Sequence, residues 1–203
     1  MNSTSFVNNV FKIASGSFFG QFILFATSPI ITRIYEPKVF GLFATYNAIV
    51  KLVSAIAPMR YEMALVISKT NKDSRHLAFL SIACVCITVI IVFLFTIILQ
   101  GFISENQLVN IYISYPLYVC YGILFWGILN VLIAIETKHS NFMNIASFKF
   151  IKPSFSSFSQ IFYGLIFKSS EYGLFIGDLI GSFACILFLI VKTSKNKMIN
   201  NLK

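Results

Sequence analysis

Seven polar side chains in an otherwise apolar chain carry the chemistry this sequence can offer: Gln21, Arg33, Asn47, Lys51, Arg60, Glu62 and Asp178. Lys51 is the most demanding of them. Counted from Gly41 it lies ten residues along a hydrophobic run, about 15 Å, near the middle of a bilayer core about 30 Å thick. On insertion scales a lysine at that depth costs roughly 2.5 to 3.5 kcal/mol, so it calls for a protein interior or water-filled cavity and a partner. Asn47, Lys51 and Ser54 are spaced i, i+4 and i+7 and share a helix face. Ser17, Gln21 and Ser28 form a similar stripe earlier in the chain. Two such stripes on adjacent helices predict a hydrated cavity.

Arg60 lies nineteen residues beyond Gly41, about 28 Å along a continuous helix, which puts it at the cytoplasmic boundary. Two roles stay open for it there, anchoring at the interface or contact with an anionic substrate or coupling proton. Arg60 and Glu62 are two apart and point about 200° from each other, so they cannot pair unless Pro58 breaks the helix. Asp178 follows Gly177, six residues into the last apolar run, and is the only acid there. An intramembrane carboxylate carries a proton or cation, or pairs with a lysine such as Lys51. Tyr112, Tyr115, Tyr118 and Tyr121 recur every third residue and fit an aromatic belt, or a face for sugar rings.

These residues need helices to hold them. With 57% hydrophobic and only 11% charged residues and a mean hydropathy of +0.81, the chain is an integral membrane protein. Six apolar spans are expected: Phe11 to Ile34, Phe40 to Ile67, Leu77 to Leu99, Ile111 to Ile135, Phe150 to Phe167 and Tyr172 to Val191. The fifth, "FIKPSFSSFSQIFYGLIF", is short, serine-rich and interrupted by Pro153; it holds as a span if Gln160 and the serines face protein. No cleavable signal peptide is visible at the N-terminus. G-x-x-x-G at Gly16 and Gly20, and its tandem at Gly173, Gly177 and Gly181, allow close helix packing within one bundle.

With the N-terminus in the cytoplasm, eleven cations fall on that side: Lys12, Lys69, Lys72, Arg75, Lys138, Lys149, Lys152, Lys192, Lys195, Lys197 and Lys203. Only Arg33, Lys38 and Lys168 fall outside. The bias predicts both termini in the cytoplasm, and the net charge of +9 then reflects topology and attraction to anionic phospholipid, with no nucleic acid as partner. Tyr35, beside Arg33 and Lys38 in a tight external connection, suits the headgroup level. Cys84, Cys86, Cys120 and Cys185 lie in apolar spans and act as small apolar residues. His76 and His139 lie in loops, and no nucleophile and base set, metal motif or cofactor motif is present, so enzyme catalysis is not expected.

The stretch "ASGSFFGQFILFATSPIITRIYEPKVFGLFATYNAIVKLVSAIAPMRYEMALVISK" resembles the N-terminal signature of the O-antigen (O-unit) flippases and related polysaccharide exporters. The likeness rests on the serine- and glycine-rich first span, "SPIITRIYEPKVFGLFA" at the hairpin and "RYEMALVIS" closing the second span. It extends more weakly over nearly the whole chain. The resemblance implies the multidrug, oligosaccharidyl-lipid and polysaccharide exporter superfamily: an all-α membrane protein whose six helices form one lobe of a MATE-like transporter. It implies alternating access to an undecaprenyl-pyrophosphate-linked oligosaccharide in the bacterial inner membrane, without a cofactor. The family's Arg-Tyr-Glu pattern maps onto Arg60, Tyr61 and Glu62, and its hairpin residues onto Arg33, Pro37, Phe40 and Gly41; Lys51 and Asp178 have no counterpart to borrow a role from.

Members of that family carry two such lobes, and this chain matches the first. The expectation is a six-span lobe over residues 1–191 and a basic cytoplasmic tail over 192–203 that resembles the start of an inter-lobe connection. A second lobe would come from another polypeptide or from self-association. Two alternatives stand beside transport: a membrane-embedded enzyme of the same pathway, such as a polymerase or acyltransferase, and an inactive remnant.

Overall fold

The structure, a computed structural model, describes residues 3–102, 116–167 and 172–200. Among the described residues it is helical, with no strand: α1 (Ser3–Ile34), α2 (Pro37–Ile56), α3 (Tyr61–Ile67), α4 (Asn71–Phe102), α5 (Pro116–Lys138), α6 (Phe142–Ile166) and α7 (Gly173–Asn200). Five of them, α1, α2, α4, α5 and α7, are long and apolar enough to cross a membrane. The chain is a multi-helix protein of membrane-spanning character. Its exposed side chains agree, since Phe18, Phe22 and Phe25 on α1 and Ile87, Ile90, Ile91 and Leu94 on α4 face outward, while Glu136, Lys152, Gln160 and Asp178 are buried. Lipid favours that inverted distribution, because a polar group has no hydrogen-bonding solvent there and must find its partners inside the protein.

Two compact units share the chain, Met1–Glu36 with Leu132–Lys203, and Pro37–Val131. In the first, α6 lies against both α1 and α7. Gly16 meets Ala146, Thr27 meets Ser157 and Ile34 meets Gly164, a constant offset of 130 residues, so α1 and α6 run parallel. Gly177 meets Gln160 and Gly181 meets Ser156, so α7 runs antiparallel to α6. The glycines sit where backbones touch: a Cβ on Gly16 would lie 2.7 Å from Ala146 Cα, and one on Gly181 2.9 Å from the Ser156 nitrogen. Both G-x-x-x-G sets therefore serve packing within one bundle.

α6 covers the stretch expected as the fifth span, and one row of its polar residues faces protein. Asn144, Phe148, Lys152, Ser156, Gln160 and Gly164 form an unbroken i, i+4 row, and all six are buried. At 25 residues, about 38 Å, it is long enough to span, but its serines and lysines hold its hydropathy below that of the other five. It begins eight residues before the expected Phe150, which brings Lys149 from a loop into the helix and sets Lys152, expected at the cytoplasmic edge of the span, eleven residues into it.

In the second unit Tyr46 and Val50 of α2 lie against Gly122 of α5, and Val85 of α4 lies against Gly127; α3 packs on α4. The expected second span, Phe40 to Ile67, is not one helix. It breaks after Ile56 at Pro58, with Met59 and Arg60 in left-handed backbone (φ 50° and 61°), and resumes as the seven-residue α3. Pro58 lacks the N–H that would continue the ladder, and two non-glycine residues at positive φ turn the chain. The expected loop between the fourth and fifth spans is also shorter than its polarity suggests, because α5 runs to Lys138 and α6 starts at Phe142. At the C-terminal end helix α7 continues through most of the expected tail, to Asn200. Tyr112, Tyr115 and Lys168 lie outside the described residues, as does most of the external loop expected after the third span.

Candidate functional site

Lys51 projects from the second half of α2 and is exposed. Its ammonium lies 6.0 Å from the centroid of the Trp126 ring on α5, a cation–π contact worth about 0.5 to 1 kcal/mol at an exposed site. Among the described residues it has no carboxylate partner. The expected polar face around it divides. Ser54 is buried; its hydroxyl donates to the Lys51 carbonyl at 3.2 Å, and its own carbonyl accepts from Asn130 Nδ2 at 3.3 Å. Asn47 is half-buried and donates from Nδ2 to the Phe43 carbonyl at 3.1 Å. Lys51 alone of the three leaves its polar end free of hydrogen bonds among the described residues. On α1 the second expected stripe divides likewise: Gln21 and Ser28 are exposed, and Ser17 accepts from Lys149 Nζ at 2.9 Å.

Asp178 pairs with Lys152, at 3.3 Å between Nζ and Oδ1, and not with Lys51. Both residues are buried, at 7% and 9% exposure, and Asp178 Oδ2 is buried without a hydrogen bond among the described residues. Sequence reasoning missed Lys152 because it counted this third residue of the expected span among the cytoplasmic cations; the i, i+4 row of Lys152, Ser156, Gln160 and Gly164 was the signal that could have found it.

Glu136 was missed for a related reason, the over-long loop. It is 1% exposed, accepts from Asn144 Nδ2 at 2.8 Å and accepts from the Thr193 hydroxyl. The three residues tie the turn between α5 and α6 to α7. Thr193 also lies within 2.7 Å of the Leu189 carbonyl, so it has another acceptor, whereas the Asn144 amide has no second acceptor among the described residues. Glu136→Ala is expected to destabilise the chain by about 1 to 3 kcal/mol, the cost of stranding a buried donor. Thermal unfolding in mild detergent would measure it, and Glu136→Gln, which keeps one acceptor, should recover part of the loss.

Arg60 is exposed, with Nη1 3.9 Å from Met63 Sδ. Glu62, half-buried on the first turn of α3, keeps Oε2 buried without a hydrogen bond among the described residues. With the helix broken at Pro58, the depth reckoned along a continuous span no longer locates either residue. Arg33 is exposed at the end of α1. Tyr35, expected at headgroup level, is instead 2% exposed inside the first unit. Its hydroxyl donates to the Gln160 carbonyl at 2.7 Å, and Gln160 Nε2 in turn donates to the Leu174 carbonyl at 3.2 Å. Burial, with Tyr163 alongside, pushes the Tyr35 hydroxyl up to about 12, so it stays a donor at neutral pH. The glycines Gly164 and Gly173 leave room for its ring.

Comparison of the chain with family models, with curated proteins and with solved structures finds no match.

Proposed function

We propose that the chain is one lobe of a MATE-like transporter that moves an undecaprenyl-pyrophosphate-linked oligosaccharide from the cytoplasmic to the outer leaflet of a bacterial inner membrane. The observation that carries this reading is Lys51: a cation well inside an apolar helix, left exposed by its own chain and without a carboxylate partner among the described residues. Such a lysine is costly in lipid and is favoured where it lines a hydrated cavity. A pyrophosphate group entering that cavity would give it the counter-charge it lacks, and the apolar tail of the same lipid would remain in the bilayer. Trp126, beside the ammonium, offers an aromatic face next to the charge.

Alternating access needs a second helical body for this one to rock against, and the resemblance of residues 14–69 to polysaccharide exporters supplies that expectation. The bias of cations toward one set of helix ends supports cytoplasmic termini. Trp126 is the chain's single tryptophan, so its fluorescence reports on the Lys51 site directly. Titrating the purified protein in detergent with undecaprenyl pyrophosphate should give a saturable change that neutral undecaprenol does not. Lys51→Leu should weaken that binding at least about tenfold, since losing one charge contact at intermediate dielectric exceeds the roughly 1.4 kcal/mol that tenfold represents. Equal affinity in the native chain and in Lys51→Leu would remove Lys51 from the site.

A further inference from the structure

We propose that the corner formed by α3 and the first turns of α4 binds a phospholipid with an anionic headgroup, at a site separate from Lys51 and independent of the substrate proposed there. Lys69, Lys72 and Arg75 fall within seven residues of sequence. All three are exposed, and none is in an ion pair among the described residues. Like charges this close repel one another, and an anion shared among them offsets that repulsion. Asp73, the one acid between them, lies about 100° round the helix from Lys72 and about 200° from Arg75. Its backbone N–H donates to Thr70 Oγ1 at 3.1 Å, so the start of α4 is capped and the basic turn sits on an ordered helix end.

The basic turn leads into an apolar row on the same face. Lys72, Arg75, Phe79, Ile82 and Cys86 follow one another at steps of three and four, so they share one side of α4, and every one of them is exposed. The row runs for about 21 Å, basic over its first turn and apolar beyond it. That is the order of a phospholipid, with a phosphate at one end and hydrocarbon along the rest. α3 packs on α4 and adds apolar surface of its own: Met63 and Ile67, one turn apart, are exposed while Leu65 is buried.

Charge decides which phospholipid fits. A zwitterionic headgroup brings its own cation and gives the three basic residues no net counter-charge, whereas phosphatidylglycerol brings one negative charge together with two acyl chains. Each Lys or Arg held near such a headgroup adds to the attraction, which falls off within a Debye length and therefore weakens as salt is raised. A soluble phosphate could meet the cations but has no hydrocarbon to lay along Phe79 and Ile82. The lipid uses both halves of the row.

Native mass spectrometry of the chain released from a neutral detergent, with lipid titrated in, tests this without any lipid-linked sugar. Phosphatidylglycerol should be retained at least about tenfold more tightly than phosphatidylcholine, with a preference that narrows as the ammonium acetate concentration is raised. The triple variant Lys69→Gln, Lys72→Gln and Arg75→Gln should hold the two lipids equally, and Phe79→Ser should weaken both. All four side chains are exposed, so helix content should stay native in each variant. Lys51→Leu should keep the full preference, which separates this site from the proposed function. Equal phosphatidylglycerol affinity in the native chain and the triple variant would overturn the proposal. So would a preference that is lost in Lys51→Leu, or displacement of the lipid by glycerol phosphate at matched concentration, which would make the corner a site for free anions.

Discussion

Lys152→Met is expected to destabilise the folded chain by about 3 to 5 kcal/mol, and the double change Lys152→Met with Asp178→Leu to recover most of that loss. The asymmetry follows from desolvation. Both side chains are about nine-tenths buried, so removing the ammonium strands a carboxylate with Oδ2 already unpaired, whereas removing both charges leaves two apolar side chains in an apolar bundle. Thermal unfolding in detergent, followed by helix content, reads both values. A single variant as stable as the native chain would mean that the pair is solvated. A double variant as unstable as the single one would mean that packing, and not charge, dominates at this position.

A second large effect is expected at Gly16. The three nearest atoms to a Cβ built there all belong to the Ala146 backbone, the α-carbon at 2.7 Å and the carbonyl carbon at 2.8 Å, so no side chain can swing aside. Gly16→Leu should push α1 off α6 and cost about 3 kcal/mol, at or beyond the top of the usual range for overpacking. Gly41 provides the contrast. It is helical, with nothing within 4 Å of the corresponding position, and Gly41→Ala should stabilise the chain by about 0.5 to 1 kcal/mol through helix propensity alone. Unfolding temperatures that move in the same direction for the two variants would contradict the packing described for α1 and α6.

The all-helical, membrane-spanning character of the chain is legible in its composition, and five of the expected spans correspond to helices apolar enough to cross. The fifth span shows what hydropathy conceals. Its weakness on that measure comes from Lys152, Ser156 and Gln160, and these are the residues α6 buries against α1 and α7, so the feature that lowers the signal is the one that holds the helix in place. The break at Pro58 was visible as a proline, but the left-handed backbone of Met59 and Arg60 has no marker in their side-chain types, and it undoes any depth estimate for Arg60 and Glu62. Asp178 was legible as an anomaly and its partner was not. The choice between Lys51 and Lys152 depends on the antiparallel register of α6 and α7, which the glycines set through close contact and which no local pattern states. Lys51 was located by the same reasoning that failed to predict its surroundings: it is exposed beside Trp126, and its expected companions Asn47 and Ser54 satisfy themselves on the backbone.

These placements divide the polar residues into two kinds. Lys152, Asp178, Gln160, Tyr35 and Glu136 are held inside the first unit by contacts within it, and their substitution should be felt first in stability. Among the described residues Lys51 has no hydrogen bond or ion pair of that sort to lose. Its removal should leave folding almost untouched, or relieve an insertion cost, and should be felt in recognition of an anionic lipid.

Translocation itself tests that division most directly. Proteoliposomes holding the chain together with the second lobe that the proposed function requires would be loaded with undecaprenyl-pyrophosphate-linked oligosaccharide, and the fraction reaching the opposite leaflet followed with time. The rate is predicted to fall at least about tenfold in Lys51→Leu and to survive largely in Lys51→Arg, which keeps the charge. Equal rates for the native protein and a well-folded Lys51→Leu variant would contradict the proposed cationic site.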